Sequence, residues 1–165
     1  MARLRHTPSL SPLLRCKEHS KKSGAEIQVL RLTSPSLKRG ASRRFFGEYC
    51  QTQGDIVVEM EVEHIQPTSK GGKGESGNLC LSCGSCNGFK SNFTHAADPQ
   101  TQEIVPLYNP RLPFWDDHFI WSEDGLVVIG LTAIGRATVQ RLNMNNAEVI
   151  VSRRRWVSVG WHPPT

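Results

Sequence analysis

At 165 residues the chain has room for one domain of ordinary size with appendages. Its 38% hydrophobic content supports a modest core, and no stretch approaches the roughly 20 consecutive apolar residues of a spanning helix, which argues against a membrane location. The net charge of +5 is unevenly placed: residues 1–44 carry 11 Lys/Arg against 2 Asp/Glu, net +9, whereas residues 45–165 carry 9 against 13, net −4. The basic character therefore belongs to the first quarter of the chain and is no argument that the whole of it binds nucleic acid.

Residues 1–35 mix Ser, Pro, Lys and Arg with scattered apolar residues and keep no helix or strand period, the composition of a disordered basic tail. Its Arg- and Ser-rich, acid-poor character also matches an organelle transit peptide, while a plain flexible tail or an upstream start codon is the simpler account. No continuous apolar stretch of a secretory signal is visible. Ser36 can cap a short basic helix to Phe46, with Leu37, Ala41 and Phe45 on one face. From Val58 the segment Ile56–Glu63 alternates apolar and acidic residues, a half-buried strand. Four glycines in Ser69–Gly77 demand a loop. Asn78–Ser82 reads as a second strand and Cys86–Phe93 as a short helix.

Beyond it, Asp98–Pro113 carries four prolines and reads as a loop. His118–Trp121 and Leu126–Ile129 flank Glu123-Asp124-Gly125, a hairpin signal. Thr132 opens a helix to about Leu142, and a second runs from Asn146 to Val159. The expected organisation is thus a tail (1–35), a core (36–95) and an extension (96–165) of loop, β-hairpin and two helices, α+β in class. Trp115 and Trp121 are read as core. Arg153-Arg154-Arg155 is read as a solvated charged face, or as a grip for phosphates. Five cysteines stand at 16, 50, 80, 83 and 86. An odd count with three packed into seven residues suits metal ligation in a reducing cytoplasm better than a disulfide framework.

The informative stretch is Glu63-His64-Ile65, Lys70-Gly71-Gly72, Asn78-Leu79, Cys83-Gly84-Ser85-Cys86-Asn87 and Lys90. In order and spacing it resembles the HNH endonuclease family over residues 58–90. The resemblance extends through His95–Pro99, Val105–Leu107, Asn109–Arg111, Trp115, His118–Trp121, Gly130–Thr132, Gly135–Thr138 and His162-Pro163-Pro164 to a subfamily common in cyanobacteria, covering residues 36–165. It implies a ββα-metal fold, two strands and a helix around one divalent cation, acting on nucleic acid, double-stranded DNA foremost.

Phosphodiester hydrolysis needs an activated water and a cation to neutralise charge on the scissile phosphate and leaving oxygen. The resemblance makes His64 the general base, an imidazole suited to accept a proton near neutral pH. Glu63 and Asn87 become hard-oxygen ligands for Mg²⁺ or Mn²⁺, and Asn78 orients His64 through the backbone. Lys70, Lys73 and Lys90 become phosphate contacts. Cys50, Cys83 and Cys86 correspond to structural zinc ligands, but Gly47 stands where the family has a fourth cysteine. Structural zinc is almost always four-coordinate, so Cys80, a water or outside ligand, weakened binding and no zinc all stay open. Phe89 also departs, since close relatives often have histidine there. The missing cysteine leaves a rival reading, a non-catalytic or degenerate zinc-ribbon-like module that binds nucleic acid or protein.

Overall fold

The computed structural model describes residues 46–54, 60–112 and 114–164. The basic tail, nearly all of the Ser36–Phe46 helix, and Ile56–Glu59 of the first strand lie outside them. The described residues form an α+β arrangement of three helices and three separate antiparallel strand pairs. None of these helices is long and apolar enough to cross a membrane.

Strand β1 (Met60–His64) pairs with β2 (Leu79–Cys83) in the register Met60 opposite Cys83 and His64 opposite Leu79. Every residue of β2 is buried. Its free edge is covered by the segment before β1: the Glu48 N–H donates to the Leu81 carbonyl (2.8 Å), and the Leu81 N–H donates to Glu48 Oε1 (2.9 Å). Helix α1 (Gly84–Lys90) follows without a loop. It starts two residues before the expected Cys86 because the Cys83 thiol accepts from the Cys86 N–H and caps the first turn. It stops at Lys90 rather than Phe93, where Ser91 turns to a positive φ of 50°.

The expected loop after Asp98 contains a strand. β3 (His95–Ala97) and β4 (Ile104–Pro106) form a hairpin closed by the Asp98 N–H to the Glu103 carbonyl. The predicted second hairpin is present as β5 (Phe119–Trp121) and β6 (Val128–Gly130). Helices α2 (Ala133–Arg141) and α3 (Ala147–Ser158) begin at side-chain caps, Thr132 Oγ1 accepting from Gly135 N–H (3.1 Å) and Asn146 Oδ1 from Val149 N–H (3.0 Å).

Trp115 and Trp121 stack 5.8 Å apart against the core, and Phe119 meets Tyr108 edge-on at 5.2 Å. Trp115 Nε1 donates to the Tyr49 carbonyl at 2.8 Å, joining the C-terminal aromatic cluster to the segment that covers β2. Arg153 is no phosphate grip. Its side chain is fully buried, lies over the Trp121 ring, and donates to the Leu126 carbonyl and Asn145 Oδ1. Arg154 and Arg155 are exposed.

Arg136 grips Asp98 through Nε (2.8 Å) and Nη2 (2.6 Å), fastening α2 to the β3–β4 turn. The guanidinium, helped by the Gln100 N–H and the Thr101 hydroxyl, holds the Asp98 carboxyl well below the usual carboxylate range. A depressed folded-state pKa adds stability above the ordinary value of about 4 and loses it as pH falls through the depressed one. Asp98→Asn should therefore lower Tm at pH 7 and flatten the acid side of the Tm–pH curve. An unchanged melting curve at both pH 7 and pH 3 would remove this pair from the structural account.

Candidate metal centre and catalytic groove

His64 ends β1 and is half-buried. The backbone after it is fixed from across the hairpin by Asn78. The Asn78 carbonyl accepts from Ile65 N–H (2.9 Å), and its Oδ1 accepts from Gln66 N–H (2.8 Å). Its Nδ2 donates to the carbonyls of Gln66 (3.0 Å) and Lys73 (2.8 Å). The Gly-Gly pair makes this closure possible. Gly71 adopts a left-handed φ of 82°, and a Cβ on Gly72 would lie 1.8 Å from the Gln66 carbonyl oxygen. The lysines of this loop, Lys70 and Lys73, are exposed.

Helix α1 lies against β1, and two cross-links join them. The Asn87 amide donates to Glu61 Oε2, and Lys90 Nζ donates to Glu63 Oε1 and to the His64 carbonyl (3.0 Å). The sequence placed Glu63 and Asn87 on one cation, but their side-chain bonds are to other residues. Glu61, one of the acidic residues of the alternating strand, is the carboxylate that meets Asn87. Its place two residues before Glu63, on the same strand face, was the available signal.

Lys90 also departs from expectation. It is 1% exposed with its ammonium on Glu63, itself 6% exposed, so it offers no surface to phosphate. Burial pushes the Glu63 carboxyl above its ordinary value, and Lys90 opposes that shift. Removing one partner of such a buried pair destabilises by about 3–5 kcal/mol, because the other charge is left uncompensated. Phe89, the second departure from the family pattern, is 42% exposed.

The thiols of Cys50, Cys83 and Cys86 are buried and lie within 4.8 Å of one another, with Cys50 and Cys83 Sγ 3.6 Å apart. The Cys83 and Cys86 thiols, with the Thr52 side chain, hold Cys50 well below its ordinary value and are themselves held above theirs by it. Three soft sulfur donors clustered this way fit zinc.

Cys80 does not join these three thiols. It lies at the opposite parity of β2, among Tyr49, Glu48 and Glu63, where burial raises its thiol pKa. Gly47 sits at the cluster: a Cβ there would be 3.5 Å from Cys50 Sγ. Among the described residues the three thiols are the one such cluster of His, Cys, Asp or Glu. The oxygen donors of Glu61, Glu63 and Asn87 are of the hard type that suits Mg²⁺. Elemental analysis should find one zinc per chain in wild type and in Cys80→Ser, and a large loss in Cys83→Ser. Equal loss from Cys80→Ser would return Cys80 to the site.

Residues 48–93 match the family model described as HNH endonuclease. No curated protein and no solved structure matches the chain.

Proposed function

We propose that the HNH endonuclease domain carried by this chain over residues 48–93 is an active nuclease that hydrolyses phosphodiester bonds of double-stranded DNA in a divalent-cation-dependent reaction. The observation that carries this reading is the Asn78 clamp, which fixes the backbone immediately after His64, next to the oxygen-bearing side chains of Glu61, Glu63 and Asn87. In this mechanism the His64 imidazole takes a proton from the attacking water. Asn78 holds the strand end so that the imidazole keeps its position through the reaction. Glu61, Glu63 and Asn87 are the residues that would hold Mg²⁺ or Mn²⁺, an ion that would supply neutralisation of the charge on the phosphate and the leaving oxygen. Free, buried thiols at Cys50, Cys83 and Cys86 suit a reducing compartment such as the cytoplasm.

Plasmid cleavage with Mg²⁺ or Mn²⁺ is the test. His64→Ala should lower the rate by about 10²–10⁴-fold while leaving the melting curve in place. The rival, a degenerate binding module, is favoured by one observation: the Lys90 ammonium already occupies Glu63. It becomes the better reading if folded wild-type protein fails to nick DNA under either metal.

The exposed Lys70 and Lys73 sit on the loop that Asn78 closes, and their exposure supports reading them as phosphate contacts. The double Lys→Ala variant should weaken nonspecific DNA binding and reduce the slope of log K against log salt by about two. An unchanged slope in a filter-binding titration would place the DNA elsewhere.

A further inference from the structure

The three-thiol cluster differs from a closed structural zinc site at one corner, and the surroundings of that corner describe what fills it. At position 47 there is no side chain, although one would fit. A Cβ there meets Cys83 N at 3.4 Å and Cys50 Sγ at 3.5 Å, ordinary contacts, and the glycine φ is not in the left-handed region. Cys80 faces away, and no other described His, Cys, Asp or Glu joins the cluster. Beside it lies a cavity of about 190 Å³ whose wall includes Cys83, with the polar side chains of Thr52, Ser85, Asn146, Glu148 and Ser152 around it.

The charge balance limits the missing donor. Three thiolates on a divalent ion carry one net negative charge. Arg153 is fully buried and has no carboxylate in ion-pair distance among the described residues; burial lowers its pKa and the three thiols oppose that shift. Its Nε and Nη2 have no hydrogen-bond partner among the described residues. A buried cation without a counter-charge is costly, and the thiolate centre is the counter-charge in reach. One guanidinium neutralises a tris-thiolate centre only if the fourth donor brings no charge of its own.

We propose that Cys50, Cys83 and Cys86 hold the metal through three thiolates and leave its fourth position to a neutral monodentate donor, water or an imidazole-type nitrogen ligand, entering from the cavity beside Cys83. Such a three-ligand centre with an exchangeable fourth position is of the open kind rather than the closed structural kind. A donor from this chain itself, Glu148 at the cavity or a residue outside the described ones, is the competing source that the test must separate.

Cobalt(II) substituted into the full-length protein, titrated with imidazole and followed by its visible ligand-field bands, tests this without reference to nuclease activity. The expected result is a saturable band shift in wild type, the same shift in Gly47→Ala, and no shift in Gly47→Cys, where a fourth thiolate closes the corner. Wild-type bands that ignore imidazole overturn the proposal. So does a response that emerges only in Glu148→Gln or in the triple variant His6→Ala, Cys16→Ser, His19→Ala, since the chain would then supply its own fourth ligand. Failure to bind cobalt at all overturns it as well.

Discussion

A two-stranded antiparallel hairpin is marginally stable by itself in water, and β1–β2 is the hairpin that must present His64. What makes it rigid is the junction at Cys83, where the end of β2, the first turn of α1 and the covering segment through Cys50 meet in one cluster of buried sulfur. Cys83 has two duties there, as a member of the thiol trio and as the cap of α1. The contacts between β1 and α1 follow from that junction, because the start of α1 sets where Asn87 and Lys90 land on the strand.

The contact between β1 and α1 combines opposing requirements. Glu61 and Glu63 stand two residues apart on one strand face, and two close carboxylates repel unless something cationic lies near. Lys90 meets that need at Glu63. Under the proposed function, a cation at Glu63 would compete with an ammonium already in hydrogen-bond contact. Asn87, neutral, is engaged through its amide with Glu61.

Much of this was legible in the residues. Helices α2 and α3 were located to within a residue because Thr132 and Asn146 are ordinary capping side chains. The Glu-His, Gly-Gly, Asn-Leu and Cys-x-x-Cys order marked the core, and the Gly-Gly pair is required where it stands because Gln66 fills the space behind it. The misses have physical causes. A thiol cap is outside the usual capping set, which hid the true start of α1. Pro106 can close β4 because that strand has one neighbour and its other edge makes no ladder. The burial of Lys90 and Arg153 depends on partners distant in sequence, which charge patterning does not reveal. Strand parity, by contrast, already separated Cys80 from Cys83 and was the unused clue.

The Trp115 bond to the Tyr49 carbonyl and the Arg111 guanidinium on the Glu48 carboxylate bear on what a unit is in this molecule. Both reach from beyond residue 93 back to the segment that covers β2. The stretch that matches the family model, 48–93, is therefore bonded to residues beyond its own boundary. Its first turn takes hydrogen bonds from side chains that lie outside that match. An excised 48–93 fragment would keep the motif while exposing the backbone of the turn that delivers Cys50.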